Sequence, residues 1–147
     1  MKKRGHNTAF YIETLLLITV FIGIILILTQ IFAVSRKKSA EARNLTTAVL
    51  LAENAAEAFY AAESPEQLPE ILFDDKKIAE EATGELAQSV IFLYNENMEP
   101  DPEGAFSVVI EWTSPEDGFT RGSVRVSENG TELYELPLSS AGKEDFR

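Results

Sequence analysis

The chain contains no cysteine, which excludes disulfides, iron–sulfur clusters and thiol catalysis. Its one histidine, His6, stands in a short basic N-terminal stretch. A Ser/His/Asp or Cys/His site in the rest of the chain is thereby excluded, and so is a His-containing metal site. No GxxxxGK(S/T) or GxGxxG run occurs, so there is no recognisable nucleotide cradle. Positive charge is scarce beyond Arg43: residues 44–147 hold six Lys/Arg against 22 Asp/Glu, a net of −16, whereas residues 1–43 carry a net of +5. An acidic surface of that density repels phosphate backbones and excludes nucleic acid as a partner. Its simplest consequence is solubility.

Charge of either sign is missing altogether from Thr14 to Ser35, 22 residues built mostly of Leu, Ile, Val and Phe. As a helix this stretch measures about 33 Å at 1.5 Å per residue, the thickness of a bilayer's hydrocarbon core. It is longer than the apolar core of a secretory signal, and Ser35-Arg36-Lys37-Lys38 makes a poor small-residue cleavage site, so the segment is read as a retained single-pass anchor. Thr19, Thr29 and Gln30 are polar residues inside it, and Gly23 is its only glycine, so no GxxxG dimer motif is present. Lys2, Lys3 and Arg4 precede the anchor, while Arg36, Lys37, Lys38 and Arg43 follow it. The positive-inside count is therefore close to a tie. A short basic N-terminal tail favours an N-terminus in the cytoplasm with residues 36–147 outside.

Beyond the basic cluster, residues 39–64 are Ala-rich and free of glycine, with Leu45, Ala48, Val49, Ala52, Ala56 and Phe59 at three- and four-residue steps. That spacing predicts an amphipathic helix, continuous with the anchor because only Gly23 interrupts the helical pattern from Thr8 to Glu63. Ser64-Pro65 stops it. Residues 65–87 mix two prolines with a short helical pattern and predict one or two helical turns. From residue 88 the period becomes two. Residues 88–95 and 105–114 read as strands, the second with Phe106, Val108, Ile110 and Trp112 on one face. Residues 119–128 and 131–138 flank Asn129-Gly130, the dipeptide suited to a type I′ hairpin turn. The expected fold is α+β: one long N-terminal helix, half transmembrane and half amphipathic, packed on a C-terminal four-stranded antiparallel sheet whose apolar face it covers. The chain divides as a basic leader (1–8), transmembrane helix (9–35), amphipathic helix (36–64), transition (65–87), sheet (88–138) and polar tail (139–147).

Few side chains suggest chemistry. Ser139, Ser140 and Lys143 offer a Ser/Lys pair, but in a polar tail that reads as poorly ordered, so no enzyme and no cofactor is expected. Asn95, Asn97, Asp101 and Glu103 cluster in one loop, with Glu116 and Asp117 in another; solvated turn acids account for them better than a Ca²⁺ site, since the EF-hand spacing is absent. Asn44-Leu45-Thr46 and Asn129-Gly130-Thr131 fit the glycosylation pattern, one on a helix and one in a tight turn, and chance matches suffice. Trp112 and Tyr134 read as core or sheet-face aromatics rather than a ligand-stacking pair.

The stretch AFYIETLLLITVFIGIILIL, residues 9–28, is the most informative in the chain. It sets Glu13 behind four apolar residues and ahead of the uncharged run. A carboxylate there can snorkel to headgroup water or pair with Lys2, Lys3 or Arg4. The apolar Ala9 to Ile12 press it deeper, where a partner charge from another subunit would offset the cost.

With its basic leader, a glutamate at the head of the span, a continuous helix and a C-terminal antiparallel sheet, the chain resembles the type IV pilin-like proteins, including the pseudopilins of type II secretion and a tight-adherence variant. The resemblance implies a structural subunit that bundles through its N-terminal helix with other pilin-like subunits or copies of itself. It implies processing by a prepilin peptidase, and Glu13 as the residue that neutralises a neighbour's terminal amine. Counting back from Glu13 as position five puts Ala9 first and Thr8 at the cut, where the family has glycine. Gly5, the nearest glycine, puts Glu13 at position eight. The alternative expectation is a membrane-anchored extracytoplasmic binding or sensory module that does not polymerise.

Overall fold

The computed structural model describes residues 4–73, 83–86, 88–113, 119–141 and 146. It is an α+β structure, as expected. One helix, α1 (Arg4–Ala61), runs for 58 residues, followed by a 3-10 turn (Pro65–Gln67) and a short helix α2 (Leu68–Leu72). Five strands follow: β1 (Thr83–Leu86), β2 (Ser89–Tyr94), β3 (Phe106–Thr113), β4 (Phe119–Glu128) and β5 (Thr131–Ala141). They form one antiparallel meander in sequence order. The chain comprises two compact units, Met1–Glu41 and Ala42–Arg147.

The first unit consists of helix alone among its described residues. Every large apolar residue from Phe10 to Val34 is exposed. It is the one helix, among the described residues, long and apolar enough to cross a membrane.

In the second unit, α1 turns an alanine-rich stripe to the sheet: Ala48, Leu51, Ala52, Ala55, Ala56, Ala58 and Phe59 are buried, as is Ala62 just past the helix end. Alanine is the best helix former, and its burial costs no side-chain entropy. The stripe differs from the expected one at its start. Leu45 is 45% exposed, whereas Leu51, Ala55, Ala58 and Ala62 join the core. Docking on the sheet, not local hydropathy, sets which side faces inwards.

The inner sheet face carries rows that cross four strands, Val90–Ile110–Val124–Leu136 and Phe92–Val108–Val126–Tyr134. Phe106, Val108, Ile110 and Trp112 are all buried, as their alternation predicts. Aromatic rings close the core in two places. Phe146 stands edge-on to Phe59 (5.1 Å) and Trp112 (5.6 Å), and Phe73 meets Phe92 (5.5 Å) and Tyr94 (5.6 Å). Such pairs add about 0.5–1.5 kcal/mol each beyond area burial.

Asn129 and Gly130 both have positive φ, 48° and 81°, between the paired residues Glu128 and Thr131, the two-residue turn the sequence predicts. Gly122 has a different role: a Cβ there would collide with the Glu111 carbonyl oxygen of β3.

Three features correct or extend the expectation. The transition segment supplies helical turns, as predicted, but also β1, which pairs Thr83–Leu86 with Ser89–Phe92 and widens the sheet by one short strand. Strand β5 runs on through Ser139 and Ser140 to Ala141, and Phe146 is 1% exposed. The segment read as a polar tail thus completes the sheet edge and seals the core. The Asp74–Asp75 pair and the 114–118 loop lie outside the described residues.

Phe146→Ala should lower unfolding stability by about 3–5 kcal/mol, since it empties an aromatic site in the core. Denaturant unfolding of the full chain in detergent, followed by Trp112 fluorescence, measures it.

Candidate functional site

Glu13 lies in the third turn of α1, exposed, and makes no hydrogen bond or ion pair within the chain among the described residues. The next charge along the helix is Arg36. An unpaired carboxylate on an otherwise apolar, uncovered helix costs free energy in hydrocarbon, up to about 3 kcal/mol at a bilayer's centre and less at its edge. The geometry leaves Glu13 free to take a cation from another molecule or to reach headgroup water.

The other residues singled out in this region are placed as follows. Gly5, Thr8 and Ala9 are all within α1. Arg4 and His6 belong to its first turn, and Lys2 and Lys3 lie outside the described residues. Arg36, Lys37 and Lys38 are exposed, Lys37 being 4.0 Å from Glu41 one turn on. Thr19 and Thr29 each donate their hydroxyl proton back to the carbonyl four residues earlier, Leu15 and Ile25, at 2.8 Å. Their hydroxyl protons are thus spent within the helix.

In the second unit the turn residues act structurally. Asn95 Oδ1 accepts from the N–H groups of Asn97 (2.9 Å) and Glu99 (3.1 Å), and Asp101 Oδ1 accepts from the Glu103 N–H (2.9 Å). Among the described residues no three His, Cys, Asp or Glu side chains converge on a metal-sized space; Glu116 and Asp117 lie outside them. Ser139 and Ser140 belong to β5, with Lys143 outside the described residues. The Ser139 N–H donates to the Tyr60 hydroxyl of α1 at 3.5 Å. Trp112 is buried and Tyr134 packs beside the core, as expected of sheet aromatics.

Three arrangements were not anticipated from the sequence. Asn44 Nδ2 donates to both Glu128 carboxylate oxygens (2.7 and 2.8 Å), and Arg43 lies 3.7 Å from Glu96, so the start of this unit's helix is tied to the β4–β5 turn and the β2–β3 loop. On the uncovered sheet face Arg125 meets three carboxylates, Glu132 (3.2 Å), Glu111 (3.5 Å) and Glu135 (3.8 Å). Exposed pairs of this kind contribute about 0–1 kcal/mol each.

The third is an open groove of about 420 Å³ between α1, α2 and the end of β2, lined by apolar side chains together with Asn54, Glu57 and Tyr94. Tyr94 is only 7% exposed and its hydroxyl has no hydrogen-bond partner among the described residues. Burial raises its pKa well above the ordinary 10.0.

No family model, no curated protein and no solved structure matches the chain.

Because the folded state holds Tyr94 protonated, stability is complete below the unfolded phenol's pKa of about 10 and falls as pH rises beyond it. Denaturant midpoints of the full chain across pH 8 to 12 should show that fall. Tyr94→Phe should lessen it while changing stability at pH 7 by less than about 1 kcal/mol, because the hydroxyl lost is an unsatisfied one.

Proposed function

We propose that the chain is a pilin-like or pseudopilin-like structural subunit of a bacterial cell-surface filament or secretion assembly. In this reading residues 14–35 anchor it in the membrane, the N-terminus faces the cytoplasm and the acidic sheet unit stands outside. Assembly proceeds by bundling of N-terminal helices. The observation that carries the reading is Glu13, a carboxylate without a partner among the described residues at the head of an exposed apolar helix. A cation from a neighbouring subunit, whether its terminal amine or Lys2, Lys3 or Arg4, relieves the cost of placing that charge near hydrocarbon. The same helix continues into the folded unit, which is the division of labour a filament subunit requires.

One observation favours the alternative, a membrane-anchored binding or sensory module that works without polymerising. Thr19 and Thr29 donate their hydroxyl protons within the helix, so interhelical hydrogen bonds from these protons are not on offer. A bundle must then be held by shape, by lipid exclusion and by Glu13.

Glu13→Gln and Glu13→Ala separate the readings. Both variants should insert into the membrane as well as the parent does. Recovery of the chain in sheared surface material should fall at least tenfold, and normal recovery would remove Glu13 from any role in assembly. The orientation has its own check: protease added to intact cells stripped of outer layers should degrade the second unit, and protection of that unit would reverse the topology.

A further inference from the structure

The groove beside Tyr94 has the make-up of a receptor for a basic side chain. Leu51, Ala58, Ile71, Leu72 and Met98 supply apolar walls, and two of them, Ile71 (44% exposed) and Met98 (40%), are left partly open to water. Glu57 is the only charged residue in the lining, and it has no ion-pair partner among the described residues. Asn54 stands one turn before it on α1, and the Tyr94 hydroxyl has no partner among the described residues. An apolar guest would leave that hydroxyl unsatisfied and desolvate the carboxylate, each at a cost. An anion would meet Glu57 and a region of net charge −16. A lysine or arginine suits every part: its methylene stem lies along the apolar walls, and its N–H groups donate to the Glu57 carboxylate, the Asn54 amide oxygen and the Tyr94 oxygen.

The sequence names one source of such side chains. Its only dense run of cations beyond the leader is Arg36, Lys37, Lys38 and Arg43, and the surrounding acidic surface attracts a basic segment at long range. We propose that the groove binds the basic segment 36–43 of a second copy of this chain. A copy does not fill its own groove in this way: fourteen residues of helix separate Arg43 from Glu57 in the same unit, about 21 Å. Two copies held level set Arg43 beside Arg43. Docking Arg43 against Glu57 exchanges its exposed pair with Glu96 for one with the second copy, and it needs an axial stagger of that size between parallel copies. The inference rests on the proposed self-assembly, of which it names one contact.

The test uses the full-length chain in detergent and a labelled peptide of residues 33–44, with binding read by fluorescence anisotropy. Binding should weaken as salt is raised. Glu57→Lys, an exposed substitution that leaves the core intact, should weaken it at least tenfold, and Tyr94→Phe should weaken it severalfold. A peptide with glutamate at its four basic positions should bind Glu57→Lys in preference to the parent protein. No binding, equal binding to the parent and to Glu57→Lys, or equal binding of a peptide with glutamine at those four positions would each overturn the assignment, the last by showing an apolar occupant. The assay needs no filament, so its failure leaves the role of Glu13 standing, and loss of that role leaves a measured groove affinity intact.

Discussion

Everything in this molecule depends on one helix that changes character along its length. Over residues 14–35, α1 is mostly apolar and its large apolar side chains are exposed. Its backbone is satisfied internally, which makes a helix a form of polypeptide stable in hydrocarbon. From Ala48 onwards the same helix is apolar along one stripe only, and that stripe is the cover without which the sheet's inner face would lie in water. A single element thereby serves as a candidate anchor and as half of a hydrophobic core. The basic residues 36–43 mark the change from one regime to the other.

The sheet unit shows how little is needed to complete such a core. Alanines bring α1 close to the rows from Val90 to Leu136 and from Phe92 to Tyr134. Phe73 and Phe146 then close the core where the helix and sheet leave room. At the outer edge, β5 contains Pro137, which has no N–H to offer, and Ser139, whose N–H is given to Tyr60. These are ways of blunting a sheet edge against strand addition.

Legibility in the sequence followed the range of the forces involved. The helix, its stop before Ser64-Pro65, the strands around residues 89–94 and 106–113 and the Asn129-Gly130 turn rest on local periodicity and backbone preference, and they could be read directly. Strand β1 could not: Thr83-Gly84-Glu85-Leu86 has no strand pattern and exists through its pairing with β2. Phe146 is one ring in a polar stretch, and only its contact with Phe59 and Trp112 gives it meaning. The Asn44–Glu128 bond joins residues 84 apart in sequence. Glu13 was visible at once as a charge in a costly place, while the Tyr94 groove, assembled from α1, α2 and β2, had no sequence signature.

The central claim is that the uncovered helix is covered by other copies of itself. The absence of native cysteine makes this directly measurable. Single cysteines placed at successive positions from Thr14 to Ser35 and oxidised in native membranes should give multimers. Their yield should rise and fall every three to four residues, with a maximum on the side that carries Glu13. Monomer at every position would contradict the account and leave the helix as a plain anchor.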